Sequence, residues 1–219
     1  MQLTREEFLQ RNDHSLLKPT LTYTDLRDGL EFAAETGCGA VCISPHRLAL
    51  ASEVLKGTSV RIATVVGFPT GTHATRAKVD EAKQVIDDGA VALDMVMDIG
   101  AMLSGDEARV RDDVAAVVAE AAGTEVKVIL EVDYLSDDQI IRAAQLCAEG
   151  GANYVKTSTG FVAGGANAHN IALMRGAVPD SVKVKASGGL SSLADVQAVF
   201  DAGADRWGIS RTKQILAEF

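Results

Sequence analysis

Cationic side chains are scarce in this chain: 21 Lys and Arg stand against 30 Asp and Glu, for a formal net charge of −9. That balance excludes a nucleic-acid partner, because neutralising a phosphate backbone needs a basic face. A single phosphate on a small substrate remains compatible, since a few lysines and a helix N-terminus can hold one. Cysteine is rare as well. Cys38, Cys42 and Cys147 form no CxxC pair and no even framework, which favours reduced thiols and a cytoplasmic setting over disulfides or structural zinc. His14, His46, His73 and His169 show neither HxH nor HxxxH spacing, so no metal site is expected. Four prolines and 5% aromatic residues argue against a β-sandwich. No apolar run reaches the length of a membrane span. The opening MQLTREEFLQRND lacks the apolar region of a signal peptide. Neither GxGxxG nor GxxxxGK[ST] occurs, which removes the simple nucleotide-binding readings.

What is present is an alternation. Short β-branched or apolar runs at 14–17, 40–44, 61–66, 93–97, 126–132, 154–157, 182–186 and 206–209 read as strands. Helical spacing fills the intervals, as in 105–122 and 137–149. Eight strands alternating with helices in 219 residues predict an α/β (β/α)₈ barrel, with a doubly wound open sheet as the alternative. TGCGAVC (36–42), DGAVALD (88–94), GGANYVK (150–156) and AGADRWG (202–208) repeat a Gly-Ala step before every second strand. Glycine there suits the left-handed end of a helix, and the repetition favours the barrel. No linker interrupts the chain, so one domain over 1–219 is expected.

A lysine within an apolar strand carries a desolvation cost. Two are singled out, Lys156 in NYVKTSTGF and Lys185 in VKVKASGGL. Each stands near the C-terminal end of its strand, where barrel enzymes place their catalytic groups. Taken alone, each could equally extend its ammonium into solvent. Together they gain weight from the turns that follow, KTSTG (156–160) and KASGG (185–189), which offer hydroxyls and backbone N–H groups to an anion. Asp94 lies between apolar neighbours in strand 93–97, sharing a face with Ala92, Val96 and Asp98. It is either a structural partner of a lysine or a proton carrier. Two lysines and a carboxylate suit carbonyl chemistry: one lysine, kept neutral by the charge of the other, attacks a carbonyl while the carboxylate moves protons. Cys42 reads as a small hydrophobe at a strand end, and Gly67–Gly71 as a structural turn.

The stretches DHSLLKP (13–19), AVCISP (40–45), RIATVVGFPTG (61–71), LDMVMDIG (93–100), KVILE (127–131), GANYVKTSTGF (151–161), VKASGGL (184–190) and AGADRWGIS (202–210) together resemble the deoxyribose-phosphate aldolase family, in order and across nearly the whole chain. The resemblance implies a (β/α)₈ barrel that cleaves 2-deoxyribose 5-phosphate to acetaldehyde and glyceraldehyde 3-phosphate, reversibly, with no metal or cofactor. It implies Lys156 as the Schiff-base lysine, Lys185 as the lysine that keeps it neutral, Asp94 as the proton relay and Asp13 as its support. Thr159, Gly160, Gly188, Gly189, Gly208 and Ser210 are implied to bind the substrate and its phosphate. The implied partners are phosphorylated sugars and aldehydes, and the implied assembly is a homodimer. The chain departs from many members at Ala92, Asp98, Val132, Asp133, Asn167 and Trp207. Two alternatives stand beside this reading: a related Schiff-base aldolase for another sugar phosphate, and a catalytically silent sugar-phosphate-binding protein. Retention of Lys156, Lys185 and Asp94 speaks against the second.

Overall fold

The computed structural model describes residues 2–219. Eight parallel strands close into a barrel in sequence order. They are β1 (Asn12–Leu16), β2 (Ala40–Ile43), β3 (Arg61–Val66), β4 (Ala92–Val96), β5 (Glu125–Ile129), β6 (Tyr154–Lys156), β7 (Lys183–Ser187) and β8 (Arg206–Ile209). Pairing of His14 with Ile209 joins β1 to β8 and excludes the open sheet. Helix α1 (Arg5–Gln10) precedes the barrel. The crossovers are α2 (Tyr23–Thr36), α3 (Leu48–Val54), α4 (Thr75–Asp87), α5 (Ile99–Leu103), α6 (Glu107–Ala121), α7 (Asp137–Glu149), α8 (Ala168–Ala177) and α9 (Leu193–Asp201), and α10 (Thr212–Leu216) follows β8. Among the described residues no helix is long and apolar enough to cross a membrane.

Strand alternation sorts the side chains into two sets. Val41, Leu93, Met95, Val128, Val155 and Val184 point outward into the main apolar core beneath the helices. The alternate set faces the lumen. There Leu17, Cys42, Ala63, Val65 and Ala92 form a separate small cluster, while β5 to β8 and β1 send in Lys127, Lys156, Lys185, Arg206 and Asp13. Half of the lumen is therefore filled by small apolar groups and half by the long stems of charged ones, which pack as hydrocarbon up to their tips.

The expected Gly-Ala repeat has a backbone cause at three of its four places: Gly89, Gly151 and Gly203 have positive φ, between 88° and 107°, at helix-to-strand passages. In the first segment it is Gly37, ahead of Cys38, that takes the left-handed φ of 72°, and not Gly39 of the Gly-Ala step. Strand ends differ from the sequence expectation where polarity or a backbone turn intervenes. β1 begins two residues earlier than its apolar run, because Asn12 and Asp13 are polar yet fully buried. β5 stops at Ile129 and not at Val132, because Glu131 takes a left-handed φ of 54°. Asp98 leaves the face it was expected to share with Asp94. It caps α5 instead, accepting from the Ala101 N–H at 3.0 Å, and pairs with Arg109 at 3.3 Å.

Outside the barrel, one buried ion pair ties two crossovers to the sheet. Lys78 on α4 donates to Asp113 on α6 at 2.6 Å and to the Val96 carbonyl at 2.9 Å, and the Thr75 hydroxyl donates to the other carboxylate oxygen of Asp113 at 2.7 Å. Neither charged side chain of the pair has any exposed surface. Removing one partner leaves the other charge buried and unpaired. Lys78→Met is expected to lower the unfolding free energy by about 3–5 kcal/mol, and adding Asp113→Leu should recover much of that loss. Urea denaturation of both variants checks this; equal stability of Lys78→Met and parent would contradict it.

Candidate active site

The site lies at the C-terminal ends of the strands and is built around Asp94. This carboxylate is wholly buried on β4. Its Oδ2 accepts from Lys156 on β6 at 2.7 Å and from Lys185 on β7, also at 2.7 Å. The two ammonium groups therefore stand within two hydrogen-bond lengths of each other, as the pairing of Lys156 with Lys185 across β6 and β7 requires. Lys185 also donates to Asp13 Oδ2 in a very short contact. The other oxygen of Asp13 accepts from Arg206 Nε at 2.5 Å.

The sequence expectation brought the two lysines and Asp94 together, and the structure does the same. It differs in what lies between the lysines. A carboxylate shared by both offsets the repulsion that a bare pair of ammonium groups would feel. Burial acts to discharge Lys185, but Asp13 and Asp94 outweigh it and hold its proton more tightly than in an ordinary lysine. Burial likewise acts to raise Asp94, and the surrounding Lys156, Lys185 and Lys127 overcome it, holding the carboxyl well below the usual range. Asp13 is lowered too, against its own burial, by Lys185 and Arg206.

A third lysine escaped the sequence reading. Lys127 on β5 is as buried as Lys185 and stands opposite Asp94 in the sheet register, its ammonium 3.4 Å from Asp94 Oδ1. Its signal was present in EVKVI, a lysine between valines, but no Ser/Thr/Gly turn follows it. Cys42 does reach the site. Its Sγ is 3.9 Å from Asp94 Oδ2, and burial, with Asp94 nearby, pushes the thiol up to about 11.

Above these groups opens a cavity of about 400 Å³. Lys156 and Lys185 form its floor. Thr159, Gly160, Gly188, Gly189, Gly208 and Ser210 all line it. Gly188 and Gly189 have consecutive positive φ of 78° and 74°. Their N–H groups have no acceptor among the described residues, which leaves a two-donor concavity of the kind that receives anions. Gly208 lies within β8, where a Cβ would press on Lys185 Cε at 3.3 Å. Thr159 is tied to the framework: its N–H and hydroxyl donate to Glu131 at 3.0 and 2.6 Å. Two rim cations, Lys18 and Arg211, also line the cavity and were not singled out from sequence.

A family model described as DeoC/LacD family aldolase matches residues 6–212. The chain belongs to that family. A curated deoxyribose-phosphate aldolase of Aciduliprofundum boonei is 45% identical over 206 residues, covering 93% of this chain and 93% of that protein. Its counterpart of the same name in Caldicellulosiruptor saccharolyticus is 39% identical over 219 residues, covering 99% of this chain and 100% of that one. A solved tetrameric deoxyribose phosphate aldolase from Aeropyrum pernix superposes with a TM-score of 0.92 at 32% identity, over 100% of this chain and 93% of that chain.

The residues at which this aldolase departs from the family pattern have structural places. Asp133 accepts from the Gly165 N–H at 3.0 Å and so fixes the loop after β6. Asn167 caps α8 through the Asn170 N–H at 3.0 Å. Trp207 is buried, with its indole N–H donating to the Phe8 carbonyl at 3.1 Å. None of these three supplies a charge to the buried cluster.

Lys185 leaves Asp13 and Asp94 under-compensated when removed. Lys185→Met is expected to cost about 3–5 kcal/mol of stability at neutral pH. Both carboxyls are lowered on folding, so the stability they contribute is present above the unfolded value near ~3.9 and is lost as pH falls below it. The gap between parent and variant should therefore narrow in acid. Urea titrations of the two proteins at several pH values give the answer; a gap that widens in acid would contradict the assignment.

Proposed function

We propose that this aldolase reversibly cleaves 2-deoxy-D-ribose 5-phosphate to acetaldehyde and D-glyceraldehyde 3-phosphate, with Lys156 as the covalent catalyst. One observation carries the choice of lysine. Both lysines border the cavity, but Lys185 is clamped by two carboxylates and has no exposed surface, whereas Lys156 keeps a 4% exposed side chain and has one carboxylate oxygen, which it shares.

In this scheme the Lys156 nitrogen attacks the C1 aldehyde of the open-chain sugar. The carbinolamine loses water to give a protonated Schiff base. Deprotonation of the C3 hydroxyl breaks the C2–C3 bond, and its electron pair moves into the iminium to leave an enamine and glyceraldehyde 3-phosphate. Protonation at C2 and hydrolysis then release acetaldehyde and return the amine. Asp94, within reach of both lysines, relays protons at the carbinolamine and enamine steps. Lys185 keeps its charge throughout, and Asp13 holds Lys185 in place. The phosphate occupies the concavity of Gly188 and Gly189, with Gly160, Thr159 and Ser210 around it, Lys18 and Arg211 at the rim, and Gly208 giving Lys185 room beside it.

Borohydride reduction in the presence of acetaldehyde tests the reading. Reduction of the iminium should leave an ethyl group on the peptide that carries Lys156, and Lys156→Leu should abolish both adduct and cleavage. Repeating the trap with other sugar phosphates gauges the substrate. An adduct mapped to Lys185 or Lys127, or equal trapping of unrelated sugar phosphates, would overturn the assignment.

A further inference from the structure

Lys127 has no step in the scheme above. Its ammonium lies 2.8 Å from Glu125 Oε1, on its own strand toward the opposite end of the barrel. Glu125 is partly exposed and is also met by Arg61 on β3 at 3.6 Å. A lysine beside such a carboxylate could satisfy its charge near solvent, since long side chains readily carry their ammonium outward. Lys127 instead remains in the lumen, 1% exposed, between Glu125 and Asp94. Holding an ammonium there carries a desolvation cost that a position nearer water would avoid.

The two oxygens of Asp94 are served unequally. Oδ2 accepts from Lys156 and Lys185, while Oδ1 has no hydrogen-bond donor and only the Lys127 ammonium near it. In this scheme the Lys156 nitrogen is uncharged as the attacking amine and again in the enamine, so during those intervals Lys185 is the one cation on Oδ2. A carboxylate that passes protons must survive that interval ionised and correctly turned.

We propose that Lys127 is a positioning residue for the aldol reaction: anchored by Glu125, its ammonium holds Asp94 ionised and turned so that Oδ2 keeps facing Lys156 and Lys185. The inference rests on the roles given to Lys156 and Asp94 above. Asp94 is faced by Lys127, Lys156, Lys185, Asp13 and the neutral thiol of Cys42. Lys127 is faced by Glu125 and Asp94 and stands 5.6 Å from the centre of the Tyr154 ring, with Arg61 and Arg206 beyond. The Tyr154 hydroxyl is pushed up by burial and by Glu125, which keeps it neutral. Changing Lys127 alone therefore removes one positive charge from the field at Asp94. Changing Glu125 alone removes one negative charge.

The test compares kcat and kcat/KM from about pH 3 to about pH 10 for the parent, Lys127→Met and Glu125→Gln. Loss of the Lys127 charge should move the rising limb to higher pH by roughly one unit or more, for one charge a few ångströms away at an effective dielectric near ~20. In the same variant kcat should fall by about tenfold or more, with KM changed by less than about twofold. Glu125→Gln should shift the limb the other way, by less. Limbs that stay fixed, or that move together in both variants, overturn the inference. If Lys127→Met does not fold, Glu125→Gln decides alone, because its limb must still move to lower pH. Trapping with acetaldehyde and borohydride runs in parallel. An adduct on Lys156 with unmoved limbs overturns the role of Lys127 only, whereas no adduct on Lys156 in the parent overturns the reading beneath it as well.

Discussion

A carboxylate with no access to water cannot remain charged without nearby cations, and Asp94 meets that constraint with three lysines. Much else follows from this. The lysines come from three adjacent strands, β5, β6 and β7, which fixes the side of the barrel on which the charged cluster sits. Their long stems fill the lumen, so the residues across from them are small: Cys42, Ala63 and Ala92. Asp13, itself held by Arg206, completes the network by clamping Lys185.

The glycine-rich end of the cavity obeys a different constraint, that of backbone proximity. The loop after β6 closes on the turn after β7 so tightly that a Cβ on Gly165 would stand 2.3 Å from the Gly188 carbonyl carbon. The Ala166 N–H fastens the two segments to the carbonyls of Ser187 and Gly188, at 3.2 and 3.0 Å. The bare turn at Gly188 and Gly189 is thereby held at the cavity mouth with its N–H groups turned away from the sheet ladder. The charged cluster and the glycine turn thus line one cavity, at a separation that the barrel fixes.

The barrel was legible because parallel strands covered on both faces read as short apolar runs, and because helix-to-strand glycines recur at alternate strands. Lys156 and Lys185 were legible for the opposite reason, as charges that break such runs just before glycine-rich turns. Lys127 breaks its run equally, but no glycine-rich turn follows it, so the missing turn and not residue type hid it. The start of β1 was hidden because the lumen is charged there: Asn12 and Asp13 read as loop when polarity is taken for exposure. Lys18 and Arg211 carry no local signature and become visible only once the cavity exists. The sharing of one carboxylate oxygen by two lysines is a property of three strands at once, and no window of sequence contains it.

A double-mutant cycle on stability tests most directly whether the charge of Asp94 is what keeps the lysines in place. Asp94→Asn keeps the shape and deletes the charge, so urea unfolding should show a loss of roughly 3–5 kcal/mol despite the near-isosteric change. Adding Lys127→Met to that variant removes one of the ammonium groups left without its counter-ion. The account predicts that the double variant loses less than the sum of the two single losses, by a coupling on the order of 1–3 kcal/mol. Strict additivity, or an Asp94→Asn protein as stable as the parent, would contradict it.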